Sequence, residues 1–301
     1  MGKLRVIPPI TITDAMLVSS SVAETDYAAW SAGTTYALGD RVVRTGVHKV
    51  FESLVAGNVG NTPETSPDKW AVVGATNRWS MFDASVSRAT AQASAISVTL
   101  RPGIACSALA AINLVGCTSV RVRVQDATLG TLYDVTTSLA PLPVDSGWWA
   151  WFFGRRRGRS TLIVRDLPHV PSADIIVDFA GGSDLSVGVL MISQAIDVGF
   201  SVRPGARLGL RDFSRKETND FGDTVLVQRA YARRAEFEVL VARAEVDPVL
   251  DLLADLRATP CLWVGTESYD AAAVFGVCSS GDVLIAYRNH SVLSIDIEGL
   301  T

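Results

Sequence analysis

Histidine is scarce in this chain, cysteine is nearly as scarce, and long unbroken apolar runs are missing. The three histidines, His48, His169 and His290, lie far apart, and none belongs to an HExxH pair that could hold zinc. No GxSxG elbow is present. The one glycine pair suggestive of a phosphate loop, in Ala180-Gly181-Gly182-Ser183, runs into Asp184 with no lysine to meet a phosphate. Glu236 and Glu238 come nearest to paired catalytic carboxylates, but their alternation with Phe237 and Val239 is what an exposed strand face produces. Enzymatic activity is therefore not expected, and no cofactor or metal is either.

The four cysteines, Cys106, Cys117, Cys261 and Cys278, have no CxxC spacing and are too few for a disulfide scaffold. Reduced, mostly buried thiols are expected, with a Cys106–Cys117 or Cys261–Cys278 bridge as the alternative. Lys3 and Arg5 are not followed by an apolar h-region, so no secretory signal is expected. Without a run of about 18 apolar residues, no transmembrane helix is expected. Charge is also thin: 19% of residues are charged against 48% hydrophobic, which suggests that partners cover part of the surface. A formal net charge of -4 provides no global field toward nucleic acid or an anionic membrane, so arginine clusters must be judged locally.

What the chain does contain is strand pattern. Residues 1–25 read as an extended arm broken by Pro8 and Pro9, which suits a sheet edge or a segment exchanged between subunits as well as a terminal strand on its own domain. In residues 26–76, Gly39-Asp40 makes a tight turn before Arg41-Val42-Val43, and Val50-Phe51-Glu52-Ser53-Leu54 alternates. A unit this small must draw much of its core from Trp30, Tyr36, Phe51 and Trp70. Residues 77–83, Asn-Arg-Trp-Ser-Met-Phe-Asp, form an aromatic seam in which Trp79 and Phe82 can dock into a neighbouring groove. Residues 84–202 carry repeated strand and turn units, among them the clean period of two at Ser119-Val120-Arg121-Val122-Arg123-Val124-Gln125, and predict a β-sandwich. Asp126, Asp134 and Asp145 fall in turns, but no calcium loop is formed.

Within that sandwich, Trp148, Trp149, Trp151, Phe152 and Phe153 run into Gly154 and Arg155-Arg156-Arg157-Gly158-Arg159. Aromatics beside arginines suit single-stranded nucleic acid, an exposed basic turn, or a protein interface in which arginine stems cover rings. The interface reading fits the mildly acidic whole, and nucleic-acid binding is not expected. Residues 203–301 predict further alternating strands around one helix at about 247–258. Asp247 reads as its N-cap, Pro248 as its first residue, and Thr259-Pro260 as its stop. The fold class is mainly β: a small three-stranded unit, a central sandwich or jelly roll, and a C-terminal barrel-like domain with one helix.

The spacing of Trp30, Tyr36, Gly39-Asp40, Pro63 and Trp70 resembles the small chitin- and cellulose-binding modules of the fifth and twelfth carbohydrate-binding families, especially their relatives in bacteriophage tail proteins. That resemblance makes Trp30, Tyr36 and Trp70 candidate glycan contacts, with Asp68 at the rim. Residues 84–200 look like a galactose-binding-type jelly roll at fold level. Phe213-Ser214-Arg215-Lys216-Glu217, Arg229-Ala230-Tyr231-Ala232-Arg233-Arg234, Leu262-Trp263-Val264-Gly265 and Ile297-Glu298-Gly299-Leu300, taken with the seam, resemble tail-associated proteins of tailed phages and prophages. The resemblance implies a virion component near the distal tail or baseplate, made in the host cytoplasm. Its partners would be copies of itself, other tail proteins and host cell-surface polysaccharide. The candidate interface residues are Trp79, Phe82, Trp148, Trp149, Trp151, Phe152, Arg155, Arg156 and Arg157. Adsorption to host saccharide as the principal task is the alternative.

Overall fold

The computed structural model describes residues 2–300 except 141, 144–146, 155, 219–223, 267–268 and 286. The chain is mainly β, with a small three-stranded sheet, a seven-stranded sheet, a curled eight-stranded sheet and little helix. It divides into two compact units, and the division does not follow chain order. One unit comprises residues 11–105 and 109–191. The other comprises residues 1–10, 106–108 and 192–301.

Strand β1 (Leu4–Ile7) stops at Pro8, as a ladder must where a backbone donor is lost. After β2 (Leu17–Ser20), the small sheet is formed by β3 (Arg41–Arg44), β4 (Lys49–Ser53) and β5 (Trp70–Ala75) in antiparallel order. Its core is Tyr36, Val42, Phe51 and Trp70, with Trp30 packed against them. The seven-stranded sheet uses β2, β6 (Thr90–Ala91), β7 (Ala95–Leu100), β8 (Ala108–Asp126) and β9 (Gly130–Ser138). Next comes a two-stranded ribbon, β10 (Leu142–Pro143) and β11 (Arg156–Arg157), enclosing helix α1 (Trp148–Phe153). Then β12 (Thr161–Arg165) and β13 (Asp174–Ser193) complete that sheet.

Alternation decides which face is dry. Val120, Val122 and Val124 on β8 and Ile175, Val177 and Phe179 on β13 are buried. The intervening residues tie the opposite face with ions: Arg121 donates to both carboxylate oxygens of Asp134 at 2.7 and 2.6 Å, and Arg123 donates to Asp178 at 2.7 Å. The β8 and β13 backbones come close at Gly116 and Gly181. Gly116 has φ of +62°, and a Cβ on Gly181 would lie 2.2 Å from the Gly116 carbonyl oxygen.

In the other unit, β14 (Ile196–Val198), β15 (Ser201–Val202), β16 (Arg207–Asp212) and the separate hairpin β17 (Arg215–Thr218) and β18 (Thr224–Val227) precede β19 (Tyr231–Ala242). Helix α2 (Val246–Asp255) then leads to β20 (Cys261–Val264), β21 (Ala273–Leu284) and β22 (His290–Gly299). The sheet order is β14-β1-β20-β21-β22-β19-β15, with β16 also on β19. Residues 196–202 curl it, pairing with β1 through Leu4↔Val198 and with β19 through Ser201↔Leu240. Trp263, Phe237, Leu4, Leu293 and Ile295 fill its interior, capped by Val249, Leu253 and Leu256 from α2 and the turn after it. The helix differs from expectation at both ends. Its N-cap is Glu245 without a side-chain hydrogen bond, and its C-cap is Leu256. Ala258, at φ +55°, has already left the helical region before Pro260 is reached.

Candidate functional site

The candidate glycan residues do not share an open face. Trp70 is 2% and Tyr36 7% exposed, with their rings edge to face at 5.2 Å. The Trp70 indole nitrogen donates to the Asn61 carbonyl at 3.0 Å, and the Ser31 amide donates to the Tyr36 hydroxyl at 2.8 Å. Both rings serve as the core of a sheet too small to find one elsewhere. Trp30 is half-buried, with the Arg44 guanidinium 4.9 Å from its ring centre and Arg44 bonded in turn to Glu64 at 2.7 Å. Its indole N–H is buried without a partner. Asp68 is exposed and pairs with Lys69 at 3.5 Å. Tyr27, which was not among the candidate contacts, is an exposed ring beside this sheet: Arg41 donates to its hydroxyl at 3.2 Å and to Glu52 at 2.8 Å.

The seam ties the small sheet to the strands beside it within one unit. Trp79 is buried, stacked on His48 at 4.1 Å and edge-on to Phe82 at 5.8 Å. The Asn77 amide donates to Asp26 at 2.6 Å, its side chain bonds the Ala91 backbone in both directions, and Arg78 donates to the Val22 carbonyl at 2.7 Å. His48 sits between two carboxylates, Nδ1 at 3.0 Å from Glu24 and Nε2 at 2.7 Å from Asp14, while Thr76 donates to the same Glu24 oxygen at 2.9 Å. Trp79 is thus engaged inside its own unit, and Phe82 half-buried beside it.

The aromatic run behaves oppositely. Trp148, Trp149, Trp151, Phe152 and Phe153 form α1 and are 56–73% exposed. They touch one another, Trp148 on Trp149 at 5.9 Å and Trp149 on Phe153 at 4.4 Å. The backbones of Arg156 and Arg157 pair with Pro143 and Leu142, so the strands form a short stem with the aromatics at its tip. Arg155 lies outside the described residues.

A second exposed surface belongs to the curled-sheet unit, where every residue of β16 is exposed. Beyond it, Phe213, Val225, Leu226, Val227 and Tyr231 are exposed around the β17–β18 hairpin, with Leu226 at 75% and Leu210 on β16 at 70%. That unit also holds a groove of about 640 Å³ lined by Gly2, Arg203, Pro204, Phe237 and Tyr269. Its one strong charge, Arg203, is paired with Glu238 at 2.6 Å.

Among the described residues no cluster of three His, Cys, Asp or Glu side chains could hold a metal ion. All four cysteines are free, and burial pushes the Cys106 thiol up to about 11 and the Cys261 thiol to about 12. Among the described residues no helix is long and apolar enough to cross a membrane. No family model, curated protein or solved structure matches this chain.

Proposed function

We infer that the chain is a structural protein of a phage tail tip or baseplate, packed around the tail axis with copies of itself and with other tail proteins. The resemblance of its seam and C-terminal strings to tail-associated proteins supports that setting. The observation that carries the reading is the apolar arm of the curled-sheet unit. Strand β16 pairs with β19 along one edge, and Leu208, Leu210, Phe213, Leu226 and Tyr231 stand in solvent around it. An open strand edge with apolar side chains is a template for a neighbouring chain. In this reading the curled sheet acts as a barrel, the seven-stranded sheet as part of a jelly-roll sandwich, and residues 26–76 as a carbohydrate-binding-type fold kept as a spacer.

Sedimentation velocity with negative-stain imaging tests this. The purified chain is expected to form closed, concentration-dependent oligomers, and Leu210→Glu with Leu226→Glu is expected to leave a folded monomer. A wild-type chain that stays monomeric at high concentration and is missing from particles would sink the proposal. The exposed Tyr27 ring, flanked by the Arg41–Glu52 pair, favours a second reading, adsorption to host saccharide. Retention on host polysaccharide that Tyr27→Ala abolishes would support it.

A further inference from the structure

The tip at 147–154 is the most concentrated apolar surface in the described chain, and its geometry limits what can cover it. Aromatics fill five of the six positions of α1, and no residue of the helix is charged or polar. At about 100° per residue the rings spread over about 200° of the helix circumference, with only Ala150 on the remaining side. A helix seated in a protein groove shows an apolar stripe at i, i+3 and i+4 with a polar face left for water. Helix α1 has no such polar face. An environment that surrounds the tip suits it better than one that touches a single side.

The composition identifies that environment. Tryptophan and phenylalanine favour the headgroup level of a bilayer, where a ring is buried among acyl carbons and an indole N–H still finds oxygen partners. Four arginines follow within residues 155–159, and two of them belong to the stem strand β11, immediately behind the tip. Apolar rings followed in the chain by a run of arginines match acyl chains below a layer of anionic phosphates. The net charge of -4 does not oppose this. A Debye length of about 8 Å at physiological salt makes the local cluster, and not the sum over the chain, decide the contact.

We propose that the aromatic tip of residues 147–154, with the arginines of its stem, inserts into the interfacial layer of an anionic phospholipid bilayer. The contact is superficial, because a helix of six residues cannot span the apolar core. It uses residues other than those of β16, which belongs to the other unit.

The test uses the full chain with vesicles of phosphatidylcholine, with and without phosphatidylglycerol. Co-sedimentation is expected only with phosphatidylglycerol, weakening as salt is raised. Three of the seven tryptophans lie in the tip, while Trp70, Trp79 and Trp263 are already buried, so binding should move the emission to shorter wavelength. Trp149→Ser, Trp151→Ser and Phe152→Ser together should lower vesicle affinity by at least about tenfold, with the thermal transition unchanged because the rings are exposed. Should that variant misfold, Arg157→Glu with Arg159→Glu supplies a second readout, the loss of the phosphatidylglycerol dependence. Binding that ignores phosphatidylglycerol, or that survives the triple substitution in folded protein, overturns the proposal. So does failure to bind any vesicle, whether the tip variant then alters self-association, marking a protein contact, or a single-stranded oligonucleotide captures the chain.

Discussion

Asp197 shows how a single residue couples this fold to pH. Burial works against its carboxylate, but the Arg5 guanidinium, donating at 2.9 Å, and then Lys3 outweigh that and hold its pKa below the ordinary range. A carboxylate depressed in the folded state adds stability above its unfolded value, near 3.9, and that stability is lost as pH falls through the folded value. Arg5→Ala should therefore destabilise the curled-sheet unit at neutral pH by at most about 1 kcal/mol after solvent screening. In melts taken across pH, the gap should close below about pH 4. A gap that widens in acid would contradict the assignment. The same scale shows what spacing can and cannot reveal. Trp30, Tyr36 and Trp70 were legible as the aromatics of a small sheet, but ring exposure depends on partners such as Asn61 and Arg44 that no local pattern specifies. Tyr27 was not named among the contacts, because an open ring leaves no periodic signal.

At the scale of elements, alternation did well and partnership did not. The strand at 119–125 was plain from its period of two, and Val120, Val122 and Val124 are buried as that period requires. The close approach of β8 to β13 was not visible. Its cause is the pair Gly116 and Gly181, the latter in the glycine pair set aside as a phosphate loop for want of a lysine. Gly181→Ala must push a carbonyl aside and is expected to cost about 1–3 kcal/mol, read from the urea midpoint. Helix α2 was placed within a few residues of its observed bounds, Val246–Asp255, because its apolar stripe is a property of one segment. Helix α1 gave no such stripe, since rings fill nearly every position.

For the whole molecule, chain order misleads because contacts do not respect it. Residues 1–10 belong with residues 192–301, and β1 lies between β14 and β20 with Arg5 opposite both Asp197 and Val264. A proline-broken terminal pattern names a strand but not a partner nearly the length of the chain away. Deleting residues 2–8 should raise amide hydrogen exchange at 196–198 and 261–264, where β1 supplies the bonds, and leave the small sheet at 41–75 protected. Faster exchange in the small sheet, with β20 unchanged, would refute that arrangement.

The placement of β1 also governs when the fold can be finished. Arg5 leaves the ribosome 192 residues before Asp197, and later still comes Val264 on its other flank. Until then the Leu4–Ile7 segment has no seat, and residues 11–105 and 109–191 can settle while it waits. Anything that occupies the Leu4–Ile7 segment meanwhile, a chaperone for instance, would hold back the unit that needs it.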